Sequence, residues 1–292
     1  MTPVSPARAL REAVSAGEFL AIPGAPCALA GRLIEEAGFP AVYLSGAALS
    51  AGVLALPDIG LVTLSELAQQ TGYLTQQVDI PVIVDADTGF GEALHVERTV
   101  WELERAGAAA IQLEDQQLPK RCGHLSGKSL VETSVMAAKL RAAVAARTDP
   151  DLVVIARTDA RDAEGIDRAI DRAKAYLDAG ADWIFPEAML NRDDFKQFAQ
   201  AIDAPLLANM TEFGKSPLIA RDELRELGYA AVLYPVTLLR IAMKAMETLL
   251  AVLRTEGTQV EMLDLMQTRE ELYELIGYHD YEARDRAFFA SR

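Results

Sequence analysis

The sequence contains few of the residues that bind soft metals or form crosslinks. Its 292 residues include only two cysteines, Cys27 and Cys122, and three histidines, His95, His124 and His279. No pair of histidines has the spacing of metal ligands, so a zinc site built on His or Cys is disfavoured. Two cysteines that lie far apart in the sequence favour a reducing compartment in which both thiols are free.

Basic residues and long apolar runs are also scarce. Lys and Arg number 28 against 43 Asp and Glu, which gives a formal net charge of −15. This argues against a nucleic-acid partner, because phosphate neutralisation needs a basic face. No stretch reaches the roughly 18 uninterrupted apolar residues of a membrane span, and residues 1–17 lack the apolar segment of a secretory signal. We therefore expect a cytoplasmic protein with neither a membrane nor a nucleic-acid partner.

Short apolar segments alternate with amphipathic helical segments along most of the chain, and 51% of the residues are apolar. The strand segments are apolar throughout, which is typical of parallel strands covered on both faces. Residues 1–237 are predicted to form one (β/α)8 TIM-type barrel of the α/β class, with residues 238–292 as a helical C-terminal extension. An open doubly wound sheet is the alternative, disfavoured because no Gly-x-Gly-x-x-Gly follows the first strand. The predicted strands are Phe19–Ile22, Ala41–Leu44, Val82–Asp85, Ala109–Leu113, Val153–Ala156, Trp183–Phe185, Leu206–Asn209 and Ala230–Tyr234.

Polar residues recur where the predicted strands end. Any one of them has a structural alternative as a helix cap or turn residue. Because barrel enzymes place their chemistry at the carboxyl ends of the strands, the whole set is predicted to be an active site. Its members include Ser45, Asp85, Asp87, Glu114, Asp115, Arg157, Asp159, Glu187, Asn209 and Thr211.

Two aspartates follow the third predicted strand. Asp85 and Asp87 are two residues apart, so on an extended strand end their side chains point the same way. With Glu114 from the next strand they would form an all-oxygen pocket, which suits Mg²⁺ or, alternatively, Mn²⁺. The structural alternative is that one aspartate caps the next helix.

The segment Lys120-Arg121-Cys122-Gly123-His124 places a thiol among three side chains that can be cationic. Nearby positive charge lowers a thiol pKa, so Cys122 is predicted to be a nucleophile or proton carrier, unless the segment is an accidental basic loop. Arg157 is predicted to bind a substrate carboxylate in bidentate fashion, or else to pair with Glu114 or Glu187. Together these residues indicate a metal-assisted enzyme that acts on an anionic substrate.

In these motifs the sequence resembles the isocitrate lyase and phosphoenolpyruvate mutase superfamily, and within it the 2-methylisocitrate lyase family. The resemblance runs in family order over almost the full chain. It implies a barrel and a magnesium-dependent carbon–carbon lyase that cleaves a tricarboxylate to pyruvate and succinate in propionate breakdown (the methylcitrate cycle). It also implies a homotetramer whose neighbouring subunits exchange their last helices. The matching segments are Tyr43-Leu44-Ser45-Gly46, Leu56-Pro57-Asp58, residues 84–91, Glu114-Asp115-Gln116, residues 120–124, residues 156–160, residues 185–188, residues 209–214, Leu233-Tyr234-Pro235 and residues 266–269.

The resemblance also implies roles for individual residues. Cys122 would be the catalytic acid on a mobile lid, and Tyr43, His124 and Lys120 would complete the catalytic group. The base for the substrate hydroxyl stays open between Tyr43, a metal-bound water and a rim carboxylate. Metal-associated positions would be Asp58, Asp85, Asp87 and Glu114. Substrate-contacting positions would be Ser45, Gly46, Ala47, Gly123, Arg157, Glu187, Asn209, Thr211, Arg240 and Arg269, with Phe185, Leu233 and Pro235 as an apolar wall for one methyl group.

Two departures from the family pattern bear on these roles. Ala47 stands where relatives usually have a glycine, and Leu125-Ser126-Gly127 stands where close relatives have Arg-Pro-Asn. The first would alter a backbone contact at Ala47, and the second bears on lid closure and substrate preference. The rival functions are a related lyase that acts on isocitrate or oxaloacetate, and a non-catalytic barrel that binds a metabolite.

Overall fold

The computed structural model describes residues 5–124 and 127–290. Leu125 and Ser126, two of the residues that depart from the family pattern, lie outside the described residues. The chain divides into two units, Met1–Leu238 and Leu239–Arg292, and each is described by itself.

Among the described residues of the first unit there are eight strands, and each overlaps one predicted segment. All of their pairings are parallel, in a sheet of order β2-β3-β4-β5-β6 and a sheet of order β1-β8-β7. One isolated parallel bridge, Gly24 to Tyr43, lies between β1 and β2, and a second, Ile184 to Leu206, lies between β6 and β7. The strands are β1 (Leu20–Pro23), β2 (Val42–Leu44), β3 (Val82–Asp85), β4 (Ala110–Glu114), β5 (Val153–Thr158), β6 (Trp183–Pro186), β7 (Leu207–Asn209) and β8 (Ala231–Tyr234).

Helices separate the strands, as the alternation predicts. Thr63 and Glu66 form the predicted capping box at the start of the fourth helix, since each accepts a hydrogen bond from the backbone N–H of the other. The helices are α1 (Pro6–Ser15), α2 (Ala28–Glu36), α3 (Gly46–Gly52), α4 (Leu64–Thr75), α5 (Ala93–Arg105), α6 (Thr133–Ala146), α7 (Ala160–Glu164), α8 (Ile166–Asp178), α9 (Arg192–Ala201), α10 (Arg221–Glu226), α11 (Thr237–Glu256), α12 (Arg269–Leu275) and α13 (Tyr278–Ala290).

The strands contribute to two apolar clusters, because successive side chains point to opposite faces. One cluster joins strand residues such as Val82 and Val84 to helix residues such as Val100 and Leu140. The other consists mainly of the opposite strand faces. In four strands, a residue of this second cluster is followed two positions later by a polar residue, which lies on the same face near the strand end. These apolar and polar pairs are Ile83 and Asp85, Ile155 and Arg157, Phe185 and Glu187, and Leu207 and Asn209.

The second unit is helical. No residue of α11 is buried in the single chain, and its exposed apolar side chains include Ile241, Met246 and Leu250. An apolar face of this extent is typical of a surface that another protein chain covers. Within residues 5–124 and 127–290, no helix has both the length and the apolar character needed to cross a membrane.

Candidate active site

Three buried carboxylates meet at the ends of β3 and β4. One oxygen from each of Asp85, Asp87 and Glu114 lies within 4.8 Å of the others. The backbone N–H of Gly46 donates to Asp85 Oδ2 over 3.0 Å, and that of Asp87 donates to Asp85 Oδ1 over 3.2 Å. The predicted grouping is therefore present, but the reason given for it was wrong. β3 ends at Asp85, and Asp87 has a left-handed φ of 48° instead of an extended backbone.

The chemistry of these carboxylates fits a divalent cation. Glu114 Oε1 is buried and accepts no hydrogen bond from the described residues, whereas the buried Asp87 Oδ1 is paired with Lys120 Nζ. Burial and the charge of Asp85 raise the pKa of Asp87 to about 6, against the opposing effect of Lys120. Burial also raises the pKa of Glu114, against the opposing charges of Arg157 and Lys120. Crowded, buried carboxylate oxygens are the hard donors that Mg²⁺ and Mn²⁺ prefer.

Lys120 is a fixed cation beside this cluster. Its buried Nζ lies 2.5 Å from Asp58 Oδ1 and 2.5 Å from Asp87 Oδ1. Burial disfavours its charge, but the carboxylates of Glu114, Asp87 and Asp85 outweigh burial and raise the pKa of Lys120. Lys120 is therefore charged near neutral pH. Asp58, predicted as metal-associated, reaches the cluster through Lys120 and is not one of the three grouped carboxylates.

Arg157 is already bound by a carboxylate of the protein. Its Nε donates to Asp159 Oδ2 over 2.9 Å and its Nη2 to Asp159 Oδ1 over 3.1 Å. Its Nη1 lies 3.5 Å from Glu114 Oε2 and 3.6 Å from Glu187 Oε2. The ion-pair alternative therefore describes this arginine, and its bidentate partner is Asp159, which the sequence placed among the polar strand-end residues without a role of its own. Below the guanidinium, 5.2 Å away, lies the ring of Phe185.

Glu187 is the centre of a second polar group. Its fully buried carboxylate lies 2.5 Å from His124 Nε2, and Asn209 Nδ2 donates to its two oxygens over 3.3 and 3.2 Å. Burial favours protonation, but Arg157 and His124 outweigh it and hold the pKa of Glu187 well below its usual range. Thr211 contributes through its backbone, because its N–H donates to Asn209 Oδ1 over 3.1 Å.

The connection between β4 and α6 carries the thiol to this site. An antiparallel bridge between Gln116 and Leu130 ties its two ends together. Lys128 Nζ donates to the carbonyl oxygen of Gly123 over 2.5 Å. A Cβ atom added at Gly123 would lie 2.3 Å from Arg157 Nη2. The connection therefore approaches the site so closely that only glycine fits there.

The prediction of a low thiol pKa at Cys122 is wrong. Burial raises its pKa, and the backbone N–H of His124 and the charge of Arg157 offset burial only in part. The neighbouring cations have little effect on the thiol because carboxylates neutralise them, as at Lys120. A thiol with a raised pKa keeps its proton at neutral pH, which suits an acid and not a nucleophile.

Tyr43 is hydrogen-bonded to Gln112, a residue that was given no role from the sequence. Its hydroxyl donates to Gln112 Oε1 over 2.5 Å, and Gln112 Nε2 has no partner among the described residues. Burial, Asp85 and Glu114 raise the pKa of Tyr43, so it is a poor base. Gln112 stands alone as a polar residue inside a predicted apolar strand, and that signal could have identified it.

The remaining predicted residues fall into three places. Ser45 caps α3 by accepting from the N–H of Ala48 over 3.3 Å, and Gly46 and the half-buried Ala47 open that helix. Phe185, Leu233 and Pro235 are buried, the first two in the apolar cluster beneath the polar residues. Arg240 and Arg269 belong to α11 and α12 of the second unit.

Grouped carboxylates, a fixed arginine and a protonated thiol at the carboxyl ends of parallel strands define an α/β enzyme with an acidic oxygen-donor centre. A family model described as phosphoenolpyruvate phosphomutase matches residues 10–254. The chain belongs to this family.

Relatives and solved structures narrow the class to lyases and related enzymes. A 2-methylisocitrate lyase of Aeropyrum pernix is 55% identical over 280 residues, which cover 96% of this chain and 90% of that protein. A crystal structure of 2,3-dimethylmalate lyase, in a trigonal form, has a TM-score of 0.92 at 36% identity and covers 98% of this chain and 96% of its own. Phosphonopyruvate hydrolase in complex with oxalate and Mg²⁺ has a TM-score of 0.89 at 31% identity and covers 98% and 99%.

Proposed function

We propose that this chain cleaves 2-methylisocitrate to pyruvate and succinate and depends on Mg²⁺, with Mn²⁺ as the alternative metal. A relative with this activity in its name matches nearly the full chain, which supports the proposal. The observation that carries it is Cys122, a thiol with a raised pKa beside the charge of Arg157. Cleavage of the carbon–carbon bond leaves an electron pair that must receive a proton, and a protonated thiol can supply it.

Different residues of the chain have different parts in the proposed reaction. A divalent cation bound by Asp85, Asp87 and Glu114 would supply Lewis-acid chemistry at the hydroxyl and carboxylate of the substrate. A base removes the hydroxyl proton as the carbon–carbon bond breaks and pyruvate forms. The electron pair stays on the succinate fragment, which takes the proton from Cys122 Sγ and leaves a thiolate. Since burial raises the pKa of Tyr43 and keeps its hydroxyl protonated, a rim carboxylate is the better base among the protein's own groups.

Fixed charges assist the second half of this reaction. Arg157 and Lys120 are positive and already oriented by carboxylates, so they stabilise the developing negative charge without reorganisation. Phe185 and Leu233 form an apolar floor beneath the polar residues, where the methyl group of the substrate would lie.

We further propose that the eight strands close into one barrel and that the protein is a homotetramer in which neighbours exchange their last helices. The two isolated bridges between the sheets support closure. An apolar groove of about 270 Å³, lined by Leu33, Phe39, Tyr234 and other residues, supports a helix from a neighbouring chain as its cover. Analytical ultracentrifugation tests the assembly, and a compact monomer at working concentration would contradict it. Residues 1–237 and 238–292 are then the barrel and its extension, in a cytoplasmic enzyme of propionate breakdown.

The activity is tested by comparing the kinetics of four substrates with Mg²⁺ present: 2-methylisocitrate, isocitrate, oxaloacetate and phosphonopyruvate. We expect 2-methylisocitrate to be cleaved best, and isocitrate about 10- to 100-fold less well, because one methyl group in a pocket contributes about 1–3 kcal/mol. A preference for oxaloacetate or phosphonopyruvate would assign the site to another reaction. Tight binding of all four without turnover would indicate a metabolite-binding protein.

A further inference from the structure

The ring of His124 lies against the segment that follows β7. Its Nδ1 accepts a hydrogen bond from the backbone N–H of Lys215 over 3.0 Å. A Cβ atom added at Gly214 would lie 2.5 Å from Nδ1, 2.8 Å from Cγ and 2.9 Å from Cε1 of this ring. Since real Cβ atoms essentially never come closer than 3.0 Å to another heavy atom, the ring can occupy this position only beside glycine.

The opposite edge of the ring faces Glu187. His124 Nε2 is 2.5 Å from Glu187 Oε1, and the side chain of His124 is only 8% exposed. A nitrogen that accepts from a backbone N–H carries no proton, so the proton of the neutral ring is on Nε2. The ring therefore donates to Glu187 through Nε2 while Nδ1 is held by Lys215.

We propose that Gly214 and the backbone N–H of Lys215 are positioning residues that seat His124 and thereby place Cys122. The link to the thiol is the short stretch of chain between them, since Cys122 lies two residues before His124, whose backbone N–H lowers the pKa of the thiol. That N–H stabilises the thiolate left after Cys122 gives up its proton. Seated in this way, His124 is a hydrogen-bond donor to Glu187 and not the proton donor of the reaction. This last role rests on the proposed function. The seat of His124, by which we mean its position against Gly214 and the Lys215 N–H, does not.

The seat is tested by the rate at which iodoacetamide alkylates Cys122 in the substrate-free protein, read by mass spectrometry. Cys27 is exposed and serves as the reference thiol in the same sample. In Gly214→Ala the ring must leave its position, and alkylation of Cys122 should rise about tenfold relative to Cys27, because the thiol loses part of the burial that raises its pKa and this outweighs any loss of the His124 N–H. Gly72→Ala is the matched control, since its Cβ would lie 3.8 Å from Gln76 Nε2, and it should leave the ratio unchanged.

A double substitution separates the seat from a general defect. In a His124→Ala background the clash has no ring to act on, so adding Gly214→Ala should change the alkylation ratio little. An equal increase in both backgrounds would overturn the proposal, as would no increase in Gly214→Ala alone. Should Gly214→Ala fail to fold, His124→Ala alone must still raise the ratio, and an unchanged ratio would overturn the proposal.

Two further measurements complete the test. Lys215→Ala keeps the backbone N–H and should retain the wild-type alkylation ratio. A rise equal to that of Gly214→Ala would show that the Lys215 side chain, and not its N–H, positions the ring. Turnover of 2-methylisocitrate by Gly214→Ala should show a lower kcat at a similar KM, because proton delivery suffers and carboxylate binding does not. If alkylation rises as expected but the wild type cleaves no 2-methylisocitrate, the seat stands and the proposed function fails.

Discussion

Lys128 Nζ donates to Asp159 Oδ1 over 2.9 Å, and both side chains are fully buried. The same carboxylate binds Arg157 at two points, so one aspartate joins the connection that carries Cys122 to the arginine of β5. Asp159 is itself positioned from behind, since its backbone N–H donates to Asp115 Oδ1 over 2.9 Å. The charges of the site thus rest on a second layer of buried polar groups.

Removing one hydrogen bond from this layer should destabilise the fold. Tyr176 donates to Asp115 Oδ2 over 2.7 Å, and both groups are buried. Tyr176→Phe leaves that carboxylate with one donor fewer, and we expect the free energy of unfolding in urea to fall by about 1–3 kcal/mol. The exposed Tyr73 provides the control, since Tyr73→Phe should change it by less than about 0.5 kcal/mol. Equal effects at both positions would argue against a special role for Asp115.

Replacing the thiol should separate binding from cleavage. A serine hydroxyl is a far weaker acid than a thiol, so Cys122→Ser should lower pyruvate release by at least about 10²-fold. Substrate binding, measured by calorimetry with Mg²⁺, should persist. Cys27→Ser, at an exposed position without a side-chain capping hydrogen bond, should match the wild type. Full turnover by Cys122→Ser would assign the proton donor elsewhere.

The pH dependence of thiol alkylation should reveal the burial of Cys122. Burial disfavours the thiolate and raises the pKa of this thiol. Because only the thiolate reacts, the alkylation rate of Cys122 should rise with pH around a midpoint above the value of about 8.5 for a free cysteine. In the urea-unfolded chain the midpoint should return to that value. A midpoint at or below it in the folded protein would restore the prediction of a reactive thiol.

Metal affinity should fall in mild acid. The pKa of Asp87 is raised to about 6, so this carboxylate takes up a proton as the pH falls through that value. A proton competes with a cation for the same oxygens, and Mn²⁺ should bind the substrate-free protein about tenfold more weakly at about pH 5 than at about pH 7.5. Electron paramagnetic resonance of free Mn²⁺ measures the affinity. Asp87→Asn should bind weakly at both pH values, and affinity that stays constant in the wild type would contradict the assignment.

Much of the fold follows from the sequence. Apolar segments without alternation predict buried parallel strands, and each of the eight matches a strand to within two residues. These segments can be recognised from neighbouring residues alone, because the apolar pattern of a strand is a local property of the chain. The two interrupted pairings, at β1 with β2 and at β6 with β7, could not be predicted, because they depend on contacts between distant segments.

The sequence predicted which residues belong to the site better than it predicted how those residues interact. Asp85, Asp87 and Glu114 are found together, as their positions at strand ends indicated. The partner of Arg157 and the pKa of Cys122 were not predictable from spacing, since both depend on burial and on carboxylates from other strands. Gln112 and Gly214 were overlooked because each was read as part of a segment and not for its own side chain, or for the lack of one.

The bridge between Gln116 and Leu130 affects how the connection that carries Cys122 can vary in length. Because the flanking strand and helix are already joined at that point, a change in the number of intervening residues has only a small entropic effect on the rest of the chain. Residues of this stretch that do not contact the site, unlike Gly123 and Lys128, can therefore vary while the strands and helices stay in place.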